Sequence, residues 1–298
     1  MICRYQILRG EETLRFPLQL VFKQPGSRAE DYSPILLLLN SPNNPTGCVY
    51  REQDLKELAA KFREYGIIVL SDEIYRSLTH GSSQEDAQNS GIAPSIADYY
   101  DRCIQAYSVS KMLAAGGWRI GVLAFQPALR EYWEKCCDFA GSIYTCPSPL
   151  LEPVLVRMLH GLKGEDKELT AYWAAQRNVL TEAAVVIEEE LQDTAIRWTP
   201  MCTGWYTLLN LEAYRPKMLE YHDFLHMGED VAYHLAEELG VVMVPGAACG
   251  LAEELFYLRF SYIDIVLDGN GGWSTHRIKD LCRVLKEWLE PFAPDPSP

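Results

Sequence analysis

Residues 35–71 constrain this chain more than any other stretch. The run "ILLLLN" (35–40) is apolar without alternation, so it reads as a buried strand. "REQDLKELAAKFREYG" (51–66) follows, with Leu55, Leu58, Ala59 and Phe62 on one helical face and Gly66 as the expected stop. "IIVLS" (67–71) is the next strand. Strand, amphipathic helix and strand form the repeating unit of a mostly parallel sheet with covered faces. "RCIQAYS" (102–108) and "RIGVLAF" (119–125) supply two more strands. From about 149 to 192 the pattern is helical, with Leu150, Val154 and Met158 and then a long charged helix. After Asp193, the short runs "AIRWT", "WYTLLNL", "VVMV" and "FYLRFSYI" are interspersed with helices near 228–239 and 275–289. The expected fold class is α/β, a three-layer mostly parallel sheet, followed by a smaller α+β domain. The expected boundaries are 1–165 for the large domain, 166–192 for a bridging helix, 193–290 for the small domain and 291–298 for a disordered proline-rich tail. Residues 1–20 read as one strand and a connection.

Composition excludes several classes of function. The 298 residues are 48% hydrophobic, enough for a substantial core. Their formal net charge of −14, without a basic stripe, argues against nucleic acid as a partner. The nine cysteines show no C-x-x-C, so reduced thiols and a cytoplasmic location are expected. "MICRYQILRGEETLRF" has no long apolar core of the kind a signal peptide needs. With no run of about 18 apolar residues, no membrane span is expected.

The polar residues at the strand ends carry the chemistry. "NSPNNPTG" (40–47) follows the first strand with two prolines and adjacent asparagines. Proline fixes φ and asparagine tolerates tight turns, so the turn is rigid enough to hold Asn44 in place. "SDEIY" ends the second strand with Asp72 and then Tyr75, and "YSVSKMLAAGGWRIG" ends the third with Ser108, Lys111 and Arg119. Open α/β sheets bind ligands at such carboxyl ends.

In this order and spacing, the asparagine–proline turn before T-G, D-x-x-Y after a strand, and S-x-S-K-x₇-R-x-G resemble the class I/II, fold-type-I pyridoxal-phosphate (PLP)-dependent aminotransferases. "GWYTLLNL", "GVVMVPG" and "YLRFSY" match the family's small domain more loosely. The resemblance runs from about residue 30 through nearly the whole chain. It implies transfer of an amino group between an amino acid and a 2-oxo acid. Lys111 would form the Schiff base with PLP and then move the substrate's α-proton. Asp72 would hold the pyridine nitrogen protonated, since a ring that accepts electrons needs that charge. Asn44 and Tyr75 would bind the ring's 3-oxygen, and Ser108 and Arg119 the phosphate. Arg259, with Asn44, would bind the substrate carboxylate. A homodimer, or a heterodimer with a longer relative through the large domain and the segment near Tyr144, is the expected assembly.

Family members carry roughly a hundred further residues before the point where this chain begins, including a phosphate-gripping loop and a ring-stacking aromatic. A catalytically impaired fragment paired with a full-length partner is therefore an alternative, as is a PLP lyase or synthase on the same scaffold. The stretch "AGSIYTCPSP" has no arginine where dicarboxylate-specific members present one, which disfavours aspartate as donor. Other features have blander readings. His222 and His226 stand at i, i+4 on an expected helix without a third ligand, so no metal is expected. "GNGG" (269–272) reads as a turn, and Cys136 and Cys137 as packing residues in a helix.

Overall fold

The computed structural model describes residues 36–81, 91–268 and 272–294. The reading of residues 1–20 and most of the "GNGG" turn lie outside them. The first sheet has the order β1 (Leu36–Asn40), β2 (Ile68–Asp72), β3 (Cys103–Ser108), β4 (Gly121–Phe125). β1 and β3 each pair parallel with β2, and β4 pairs antiparallel with β3. Between β1 and β2 lies α1 (Glu52–Tyr65), whose start is fixed by the Asp54 carboxylate accepting the Arg51 N–H at 3.0 Å. Gly66 ends it in the left-handed region at φ 63°, its N–H returned to Phe62 and Arg63. Leu55, Ala59 and Phe62 of α1 bury against Leu37, Leu39, Val69 and Cys103 of the sheet.

After β3 come the short α2 (Val109–Met112), then β4 and α3 (Arg130–Tyr144). Among the described residues none of α3 is buried. The expected helical stretch divides into α4 (Glu152–Leu162) and α5 (Lys167–Leu191). Gly161 makes room for α5, because a Cβ there would stand 2.7 Å from Leu169.

The second sheet is antiparallel throughout, in the order β5 (Arg197–Trp198), β6 (Tyr206–Asn210), β8 (Tyr257–Ser261), β7 (Val244–Pro245). β7 keeps only the end of "VVMV" as strand. α6 (Arg215–Tyr221) and α7 (Gly228–Leu239) connect these strands, and α8 (His276–Leu289) follows them. One face of α5, with Ala183, Ala184 and Ile187, packs with Leu209, Leu258, Ile278 and Leu285 in a core that reaches Tyr75 and Leu78 beyond β2.

Four expectations change. Cys136 and Cys137, expected to pack, are exposed on α3. The run 35–40, expected to be buried on both faces, buries Leu37 and Leu39 but exposes Leu36 and Leu38, because α1 packs on one face alone. His222 terminates α6 and His226 lies outside it, so the pair does not share a helical face. Pro291 and Phe292, placed in the disordered tail, belong to a 3₁₀ turn, where Phe292 packs into the second core. Aromatic burial outweighs the proline-rich composition there. Residues 295–298 lie outside the described residues. The fold matches the α/β expectation, with a mostly parallel first sheet.

Candidate active site

Hydrogen-bond register sets a row across the first sheet: Asn40 opposite Asp72, Asp72 opposite Ala106, and Ala106 opposite Leu123. Asn40 and Asp72 therefore share one face at the carboxyl ends of their strands. Asn40 builds the loop that follows. Its Oδ1 accepts from the Asn44 N–H at 2.9 Å and from Asn43 Nδ2 at 3.3 Å, while its own Nδ2 donates to the Asp72 carbonyl. Asn43 Oδ1 accepts from Thr46 Oγ1 at 2.7 Å. Both Ser41–Pro42 and Asn44–Pro45 are cis. Gly47, at φ 69°, lets this loop meet β6, where a Cβ would lie 2.5 Å from the Tyr206 carbonyl oxygen.

That approach presents Asn44 to the second sheet. Asn44 Oδ1 accepts from Arg259 Nη1 at 3.1 Å, across 215 residues of sequence. The Arg259 guanidinium lies 4.8 Å from the centre of the Tyr206 ring. Its Nε is buried without a partner, and no described carboxylate pairs with it.

Asp72 is half-buried, and its Oδ1 accepts only the Ile74 N–H, at 3.3 Å. Burial pushes its carboxyl above the usual range, and no described cation pairs with it. Tyr75 is buried, edge-on to both Trp205 and Tyr206, and burial holds its phenol well above the ordinary value. Gly204, at φ 57°, brings the backbone before β6 over this ring, with a Cβ position 3.1 Å from Tyr75 Cδ1. Lys111, on α2, points its Nζ at the Trp205 ring, 5.1 Å from the centroid. Asn44, Tyr75, Lys111 and Arg259 are thus linked through Trp205 and Tyr206, with Asp72 on the neighbouring strand end.

Among the described residues, Ser108 and Arg119 make no hydrogen bond to this cluster. Ser108 Oγ accepts from the Ser110 N–H and donates to the Ile120 carbonyl at 3.3 Å. Arg119 is exposed, with φ 53°, and donates to the Gly116 carbonyl at 2.9 Å.

Sequence reasoning passed over two groups. Trp205 and Tyr206 entered it only as part of a loose match, and their adjacency to a turn glycine is the signal that could have marked them. Glu73 was overlooked beside Asp72. It is 1% exposed and accepts from Ser71 Oγ at 2.9 Å, Tyr107 OH at 2.9 Å, Gln105 Nε2 at 3.3 Å and Ser95 Oγ, with Arg76 at 3.4 Å. The two-residue spacing of Ser71 with Glu73, and of Gln105 with Tyr107, is the signal for one polar face.

Among the described residues, no helix is long and apolar enough to cross a membrane, and no group of three metal-ligating side chains occurs.

The chain is 29% identical over 231 residues to aromatic-amino-acid aminotransferase 2 of Thermococcus litoralis, an alignment covering 76% of this chain and 52% of the relative. It is 36% identical over 230 residues to a probable aspartate aminotransferase of Methanocaldococcus jannaschii, covering 76% and 53%. The chain spans about half the length of these relatives. The crystal structure of an aromatic aminotransferase from Pyrococcus horikoshii superposes with a TM-score of 0.68 at 22% identity, covering 86% of this chain and 60% of that one, and so shares its fold. The family profile "Aminotransferase class I and II" matches residues 25–264, and the chain belongs to that family.

Proposed function

We propose that this chain carries the lysine-bearing part of a PLP-dependent aminotransferase site, acting on an amino acid and a 2-oxo acid. The observation that carries the reading is Arg259. A part-buried guanidinium hydrogen-bonded to Asn44, with a buried Nε lacking a partner, calls for an anion with two oxygens. A substrate carboxylate meets that need.

PLP, when bound, supplies an aldehyde and an electron-accepting ring. The donor set fits the ring end of that group. Asp72 is a desolvated carboxylate whose cost a protonated ring nitrogen would offset. Asn44 and Tyr75 offer an amide and a phenol for the ring's oxygen, and Lys111 the primary amine. Lys111 would attach the cofactor and, once displaced by substrate, move the α-proton. Arg259 would orient the substrate so that its Cα–H bond faces Lys111. Ser108 and Arg119 would hold the phosphate only after giving up their bonds to Ile120 and Gly116. A cytoplasmic setting, where cysteines without C-x-x-C spacing stay as thiols, belongs to the same reading. The large domain would run to about residue 165, α5 would bridge, and the small domain would follow. A homodimer through the apolar side of α3 near the exposed Tyr144 completes the proposal. A sedimentation run at micromolar concentration that finds only monomer removes that part.

The test is to mix purified protein with PLP, reduce with borohydride and map the modified peptide. A label on Lys111 supports the reading, and a label elsewhere or none overturns it. Arg259→Lys is expected to weaken amino-acid binding by about 1.5–3 kcal/mol, the range for a charged hydrogen bond, while labelling of Lys111 persists. If amino acids bind this variant as tightly as wild type, Arg259 is structural.

A further inference from the structure

Two cations of the candidate site each face one of two consecutive aromatic rings. Lys111 Nζ lies 5.1 Å from the Trp205 ring centre, and the Arg259 guanidinium 4.8 Å from that of Tyr206. The rings are 5.7 Å apart and tilted by 47°. Trp205 also meets Tyr75 edge-on at 5.6 Å. Among the described residues the Lys111 ammonium makes no salt bridge and no hydrogen bond, so the indole face is the contact that fixes it. A lysine side chain has four rotatable bonds and surrenders considerable freedom when held, so its end does not stay in place without an attractive partner. The indole is the strongest of the natural rings for a cation.

We infer that Trp205 is a positioning residue for Lys111: its indole face holds the ammonium at the ends of the first sheet. The geometry is set by the backbone. Gly204, in the left-handed region, carries the chain over Tyr75, and this close approach brings the next side chain to Lys111. Trp205 directly precedes a strand of the second sheet, whereas Lys111 follows a strand of the first. A single side chain therefore registers one sheet on the reactive amine of the other. The inference rests on the proposed role of Lys111 for its meaning, but the contact itself can be tested without cofactor.

The full chain, free of PLP, is treated with a limiting amount of an amine-acylating ester. The rate at the Lys111 peptide is read by mass spectrometry against the exposed Lys167 in the same molecule. Trp205→Leu is expected to raise the relative rate about three- to tenfold, the span of a cation–π contact of ordinary strength, and Trp205→Phe to raise it less. Because either variant could disturb packing, the deciding measurement installs mono-, di- and trifluorinated tryptophan at position 205. Fluorine drains the ring's negative face with little change of shape. A stepwise rise in Lys111 labelling with fluorine count supports the inference. A flat series, or an unchanged rate in Trp205→Leu, overturns it. Borohydride mapping that finds no PLP on Lys111 would sink the proposed function and leave this series intact. A flat series with PLP still on Lys111 would sink only the role of Trp205.

Discussion

The two faces of the first sheet differ although the same strands make both. On the packed face, Leu37 and Leu39 are 5% and 1% exposed, and Glu73 sits at the centre of four neutral donors and Arg76. On the other face Leu36, Leu38 and Leu123 are 54%, 63% and 50% exposed, and that face carries Asn40 and Asp72. The packed face satisfies its buried charge completely. Among the described residues, the open face gives Asp72 no cation, and Arg259 has no carboxylate. Saturated polar groups stabilise a fold, and unsaturated ones are available to a ligand.

Glu73→Ala tests the contrast most severely. It removes the buried partner of Arg76, leaving it Asp98 at 3.7 Å, and is expected to cost about 3–5 kcal/mol of stability, the range for breaking a buried pair. Urea unfolding measures it, and a loss near zero would mean that the network is ornamental. Leu39→Ala should cost about 2–5 kcal/mol through a cavity, whereas Leu38→Ala, one residue away on the exposed face, should stay within about 0.5 kcal/mol. Similar losses for the two would erase the distinction between the faces. Gly47→Ala should cost about 1–3 kcal/mol, since φ 69° is unfavourable for alanine and its Cβ meets the Tyr206 carbonyl. The same variant should weaken any function that needs Asn44 and Arg259 together.

The smallest effect concerns Asp72. Burial raises its carboxyl pKa in the folded state, so folding binds the proton more tightly than the unfolded chain does. The resulting penalty is absent at low pH, begins as pH rises through the unfolded value of about 3.9, and is complete above the folded one. Asp72→Asn keeps an acceptor for Ile74 and removes the penalty. It should match wild type near pH 3 and slightly exceed its stability at pH 7, as read from paired urea midpoints. A variant less stable than wild type at pH 7 would mean that the Asp72 charge already has a favourable partner.

Much of the architecture was legible in the sequence because its causes are local. The unbroken apolar run 35–40, the spacing of Leu55, Ala59 and Phe62, and the stop at Gly66 each act within a few residues, and their elements appear where expected. Failures came where tertiary packing overrode a local signal. Phe292 buries despite its proline-rich neighbours, and His222 ends its helix instead of continuing it. The motif residues could be named from order and spacing, but spacing says nothing about which hydrogen bonds a side chain makes. Ser108 and Arg119 belong to the same motif as Lys111 yet bond to Ile120 and Gly116.

The sequence by itself determined which polar groups stand at the ends of β1, β2 and β3, because strand length and alternation are short-range properties. Only the tertiary structure decided that Asn44 meets Arg259 across 215 residues, that Trp205 faces Lys111, and that Glu73 is enclosed while Asp72 beside it is not. Those outcomes depend on the backbone approaches at Gly47 and Gly204 and on which face of the sheet the helices cover. Such contacts join segments far apart in the chain, so their energies appear only when both partners are in place.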